Sequence, residues 1–189
     1  MNSLKEYITE KFQVSKDNVG QYTYTPKDKY ELIKYIEEKI KKEGLGTQNE
    51  PLDLNDIDTS KITDMSSLFD TLDGELRTLS WNGHFDISDW NVSNVENMDW
   101  MFYHSLFNGD ISDWNVSNVT NMEYMFYGSD FDGDISKWDV SNVKNMDFMF
   151  AGSKFNGNIS EWDISNVKSM QNMLTKCPLQ KNPPKWYRA

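Results

Sequence analysis

Catalysis near neutral pH needs a nucleophile beside a base, or carboxylates paired in a pocket. This 189-residue chain offers few such groups. Its two histidines, His84 and His104, fall in no zinc-ligand spacing. It has no Gly-rich phosphate loop and no Gly-x-Ser-x-Gly elbow. Asp130, Asp132 and Asp134, in D-F-D-G-D, imitate the opening of a calcium loop. The matching stretches L-F-N-G-D and K-F-N-G-N lack one or more of these carboxylates, and no Glu stands at the twelfth position, so a glycine turn is the stronger reading. The methionines recur as Met-x-x-Met pairs and read as core filler, not as a copper site. Cys177 is the one cysteine and cannot form an internal disulfide. The expectation is no catalytic residue, no metal and no cofactor.

What remains is chemistry of contact. Trp100, Tyr124 and Phe148 are followed at the same spacing by Asn172, and beside them run Tyr103, Tyr127, Ala151 and Thr175. These rings either pack sideways between neighbouring elements or form an exposed strip of the kind that supplies binding hot spots. A second candidate surface is acidic. Asp89 and Asp113 share a column with Lys137 and Glu161, and Asp110 and Asp134 share another. Solvated faces explain such columns, and recognition of a basic partner is the alternative.

The elements that must position these residues follow a repeat. Trp90, Trp114, Trp138, Trp162 and Trp186 are 24 residues apart each time. One unit reads FNGDISDWNVSNVTNMEYMFYGSD and the next FDGDISKWDVSNVKNMDFMFAGSK. Ile57 to Phe69 matches Trp90 to Phe102 at an offset of 33, so about nine extra residues form a loop between Phe69 and Phe85. Ile111 to Val116, with a β-branched residue at each end, predicts a short parallel strand. Val119, Met122, Met125 and Phe126 step by three and four, which predicts a short helix. The expected fold class is α/β: a leucine-rich-repeat-like solenoid with one strand and one helix per coil. The Ser and Asn columns, such as Ser117 and Asn118, are expected to satisfy backbone groups at the bends.

Four segments result. Residues 1–50 read as a helix-strand-helix cap of α+β type. Leu4, Tyr7, Ile8 and Phe12 lie on the first helix, V-G-Q-Y-T-Y-T forms the strand, and Thr25 caps a second helix with Pro26 at its first position. Leu32, Ile33, Ile36 and Ile40 make its buried face, and Gly44 ends it. A separate docking module is the alternative. Residues 51–82 hold the degenerate first coil and the loop, 83–178 four full repeats, and 179–189 a cap in which two prolines stop further pairing.

Charge is segregated along these segments. Residues 1–50 are neutral, 51–134 carry seventeen acids against Lys61 and Arg77 for a net of −15, and 135–189 net +4. Such a middle repels nucleic acid and attracts a basic protein partner. The N-terminus has no apolar signal region, and no apolar run approaches the roughly 18 residues of a membrane span, so a cytoplasmic location without membrane insertion is expected. Oligomeric state is left open.

The pattern W-[DN]-[VI]-S-N-V-x-[NS]-M-x-x-M-[FL], over residues 55–186, resembles the BspA-type leucine-rich-repeat proteins of bacteria. The resemblance implies a curved solenoid for adhesion or recognition, and no catalytic residue. Many members look secreted or lipid-anchored, whereas no signal or lipobox-like cysteine is visible here. The leading expectation is a non-enzymatic protein–protein interaction module. The alternatives are an intracellular or phage-encoded inhibitor, acting as an acidic decoy of a nucleic-acid-handling enzyme, and a cell-surface adhesin.

Overall fold

The computed structural model describes residues 22–69 and 84–187. The first expected helix, at Leu4–Phe12, and the inserted loop fall outside them. Helix α1 spans Lys29–Glu43. Asp28, not Thr25, is its N-cap: the carboxylate accepts from the N–H groups of Tyr30 and Glu31. A carboxylate also complements the positive end of the helix, which the Thr25 hydroxyl cannot do. Gly44, at φ +84°, closes the helix. Leu32, Ile36 and Ile40 are buried and Ile33 is partly so. They join one continuous core that runs through every coil to Leu179. The helix is pinned to the first coil by Lys39, 2.6 Å from Asp56, and by Lys29, 3.0 Å from Asp64. Residues 19–21 of the expected strand also lie outside the described residues; of the rest, Tyr24 pairs in a parallel bridge with Ile57.

The coils form a repeat solenoid, but not from a strand and a helix. The Ile111–Val116 segment turns at Ser112–Asp113 and pairs with nothing as a strand. The inter-coil pairing lies elsewhere, in the column Asp64, Asn97, Asn121, Asn145 and Ser169, which bridges in parallel from coil to coil. Beyond that column, alternate N–H groups leave their own coil. Met98, Trp100, Phe102 and His104 donate to the carbonyls of Asn121, Glu123, Met125 and Tyr127 at 2.7–3.0 Å. The residues between them bond within the coil: Met101 to Met98, Tyr103 to Trp100 and Ser105 to Phe102. The same scheme recurs in the next two coils.

This alternation explains why the expected helix is absent. A helix needs each N–H to reach four residues back, and here half of them reach 23 residues forward. The segment is a chain of overlapping four-residue turns. The third positions of alternate turns take positive φ: Trp100 at 57°, His104 at 53°, Tyr124 at 53° and Phe148 at 56°. Positive φ at that position characterises the type II turn. Overlapping turns repeat apolar residues every three or four positions, as a helix does, so Val119, Met122, Met125 and Phe126 are all buried without being helical. True strands are short: β1, Leu52–Asp53, pairs in parallel with β2, Phe85–Asp86.

Side chains close the other sides of each coil. The indole N–H groups of Trp114, Trp138, Trp162 and Trp186 donate to the carbonyls of Ile87, Ile111, Ile135 and Ile159 at 3.1–3.2 Å. Asn118, Asn142 and Asn166 donate their amides to the carbonyls of Ser93, Ser117 and Ser141, each at 2.7 Å. Inside, Phe69, Phe102, Phe126 and Phe150 stack at 5.3–5.6 Å. The first coil obeys the same rules at larger offsets. Met65 donates to Asn97 across 32 residues, not the usual 23, so the excess of nine lies between rungs. At the other end, Leu179 N–H reaches the Phe155 carbonyl and Trp186 keeps the tryptophan tie. Trp138→Phe should keep most of the apolar contact but orphan a buried carbonyl. A loss of about 1–3 kcal/mol in urea unfolding is expected, and a loss under ~0.5 kcal/mol would refute the role of the indole tie.

Candidate functional site

The aromatic columns come together on one surface. Trp100, Tyr103, Tyr124, Tyr127 and Phe148 are all half-buried. Trp100 lies 4.5 Å from Tyr124, which stacks on Phe148 at 4.8 Å and 5°. Tyr103 stacks on Tyr127 at 5.2 Å and 14°, making a second row beside the first. Exposed His104 meets the edges of both tyrosines. The two readings of these rings combine: they pack on one another between turns, and they leave their outer edges to solvent.

The backbone beneath the first row is costly. A left-handed residue that carries a Cβ pays roughly 1–2 kcal/mol, and Asn or Gly relieves this. The parallel column His104, Gly128, Gly152, Lys176 uses glycine twice. The ladder column never does: it runs Ser67, Trp100, Tyr124, Phe148, Asn172, all with positive φ. No signal in a single repeat shows this, because aromatic residues seldom mark left-handed positions.

A row of carboxylates accompanies the rings. Asp99, Glu123 and Asp147 each precede a ladder residue and are half-buried. Glu123 Oε2 accepts from Asn145 at 2.9 Å, and Asp147 Oδ1 accepts from the Ser169 hydroxyl and the Gln171 N–H. Asp99 Oδ1 is sealed from solvent and has no hydrogen-bond partner among the described residues. Burial, and then the charge of Asp64, push its carboxyl above the ordinary range. Burial and the charge of Glu123 likewise push the Tyr124 phenol up. None of these three carboxylates was singled out from sequence, where they read only as polar residues between apolar ones.

The acidic candidates lie apart from this surface. Asp89 and Asp113 are exposed. Asp110 and Asp134 are exposed too, but each accepts the N–H of the serine two residues on, which holds its carboxyl below the ordinary range. They are turn-forming groups. A cleft of about 680 Å³ is lined by His84, Asp86, Asp110, Asp130, Asp132 and Lys154. Its carboxylates are spent separately: Asp130 on Lys154 at 2.7 Å, Asp132 on the Asn156 N–H at 2.7 Å, and Asp86 on Ser88. No group of three or more metal-ligating side chains occurs among the described residues, and no helix there is long and apolar enough to cross a membrane.

Fold and surface together define a class: a solenoid of near-identical 24-residue coils with a buried ring ladder inside and a half-exposed one outside. A family model described as a Mycoplasma protein of unknown function, DUF285, matches residues 43–129 and again 76–186. The chain belongs to that family. The overlap of the two matches is what a repeat produces when one model fits it in two registers. No curated protein and no solved structure matches the chain.

Two outcomes follow from the strained row and from the buried acid. Phe148→Asn places at 148 the residue the next coil carries. Relief of about 1 kcal/mol of backbone strain should offset the roughly 0.5–1.5 kcal/mol of ring stacking lost. The unfolding free energy should therefore move by less than about 1 kcal/mol, against about 2–5 kcal/mol for Met149→Ala in the core. Equal losses would refute the strain. Asp99, with its folded pKa raised, is relatively favourable only while protonated, and that advantage is lost as pH rises through the raised value. Asp99→Asn should therefore raise the melting temperature at neutral pH, and the gain should vanish below the ordinary carboxylate range. A gain independent of pH would contradict it.

Proposed function

We propose that the chain is a non-enzymatic protein–protein interaction module whose contact surface is the ladder Trp100–Tyr124–Phe148 with Tyr103 and Tyr127. The supporting observation is the strained row: large rings occupy left-handed positions where glycine or asparagine would be easier, and they do so on the surface. Strain kept at a half-exposed site, where the parallel row relieves it with glycine at 128 and 152, argues for use. Aromatic side chains provide large contact area at small entropic cost. The adjoining carboxylates favour a partner with a basic surface and disfavour direct contact with nucleic acid. The likeness of the repeats to BspA-type surface-recognition proteins points the same way.

The test is comparative capture. The immobilised chain and its Phe148→Asn variant, matched in stability, are exposed to lysate of the source cell. Proteins held by the wild type and lost by the variant are the expected result. Equal retention by both, or turnover of a small substrate that survives ladder substitution, would sink the reading.

A further inference from the structure

We propose that the backbone edge of the last full coil, at residues 168–172, docks an acidic, extended segment of a partner protein, added in parallel as one more rung. This edge needs no binding role for the rings. It is open because the bonding scheme continues there without an acceptor. Met146 and Phe148 donate to the carbonyls of Ser169 and Gln171, both at 2.9 Å. One coil on, the same N–H groups belong to Met170 and Asn172, and nothing among the described residues accepts from them. The Lys144 carbonyl accepts the Lys168 N–H at 2.8 Å, whereas the Lys168 carbonyl has no donor among the described residues. Further along, the Lys176 N–H turns to the Gln180 side chain at 2.8 Å, which closes that part of the edge. Gln171 and Asn172 are exposed, and Ser169 and Met170 are half-exposed. An unpaired backbone edge of this kind is a template for another chain.

Apolar surface lies open beside the edge. Val140, Val143 and Met146 are at most 1% exposed, but their mates Ile164, Val167 and Met170 are only partly buried. A further rung carrying apolar side chains over Val167 and Met170 would cover them. A second copy is a poor source of that rung. Its first coil lies under α1, and Lys29 Nζ already holds the Ser66 carbonyl at 3.1 Å, so the stack cannot continue head to tail. Two last coils set face to face would bring their lysines together.

Charge selects the occupant. Residues 164–187 contain Lys168, Lys176, Lys181 and Lys185 but no Asp or Glu. Exposed Lys144 lies directly beneath exposed Lys168 in one column of the parallel pairing. Side chains in such a column stand about 5 Å apart. The Asp147 carboxylate one coil below is engaged by the Ser169 hydroxyl and the Gln171 N–H. A residue added opposite Lys168 would therefore extend a stack of two ammonium groups. A third lysine there adds repulsion, and a carboxylate relieves it. The same column opens with Glu96 two coils before Lys144, so an acid fits this position of a rung.

The experiment titrates the full chain with two synthetic peptides and follows its backbone amides by NMR and hydrogen exchange. One peptide copies residues 140–153 of this chain, and the other is that copy with Lys144→Glu. In the register of the coils, the copied carbonyls of Asn145 and Asp147 meet the N–H groups of Met170 and Asn172, and the variable residue stands over Lys168. The acidic peptide should bind about fivefold more tightly at low salt, the scale of one exposed ion pair. It should also protect the Met170 and Asn172 amides from exchange. The difference between peptides should shrink as salt is raised. In a Lys168→Glu variant of the full chain, a change at an exposed side chain, the preference should pass to the lysine peptide. Failure of the acidic peptide to bind, equal binding of the two, or binding that leaves both amides unprotected overturns the proposal. So does protection that grows with protein concentration without peptide, which would assign the edge to a second copy.

Discussion

Every second N–H of the Met-x-x-Met-Phe segment is committed to the neighbouring coil, and most of the structure follows from that commitment. Donation outward at Met122, Tyr124, Phe126 and Gly128 forbids a helix, because the intervening N–H groups can close only short turns. It also forbids a flat strand, because those turns need positive φ at every fourth residue. Identical turns then stack in register, and side chains of one column must lie over their mates. Rows of rings, inside and outside, are a consequence of the backbone scheme and not a separate device.

A backbone ladder on one side would leave the rest of each coil open. The tryptophan and asparagine columns supply the missing ties, each donating to a carbonyl of the preceding coil. The core between them is lined by Val140, Val143, Met146 and Phe150, all at most 1% exposed. The ends need different solutions. At one, α1 lays Leu32, Ile36 and Ile40 on the first coil, and Lys39 and Tyr35 both bond Asp56. At the other, Leu179 and Trp186 imitate one more coil, while Ile164, Val167 and Met170 stay only partly buried.

Much of this was legible in the sequence. The spacing of Trp90 to Trp186 marked the coils, and apolar columns marked the core. Asn118 and its mates were rightly read as backbone partners, and Gly44 as a helix stop. The local conformation was not legible. Val119, Met122, Met125 and Phe126 have the spacing of a helix, and overlapping turns produce the same spacing, so periodicity cannot separate them. The glycine at 128 and 152 marks a left-handed position, but a glycine just past the last apolar residue also ends a helix, so it does not separate them either. At Trp100, Tyr124 and Phe148 the same conformational demand is hidden beneath large rings. The aromatic candidates were chosen for chemistry and variation, and the structure brings them together. Asp110 and Asp134 were chosen for charge, and they serve serine N–H groups in turns.

The distribution of variation follows from neighbours. An interior column has the same atoms above and below in every coil, so any change of volume is felt at once, and Val, Met and Phe recur. An outer column answers to solvent on one side and is free to differ. The ladder column uses that freedom unevenly: small residues at Ser67 and Asn172, rings in the three coils between. If rings there served only to hold coils together, the end coils, with a neighbour on one side only, would need them most. They are placed where the stack is already secure, over a carboxylate row and away from the Asp86–Asp134 flank. The proposed contact surface is therefore confined to three coils, and its edges are set by where the rings stop.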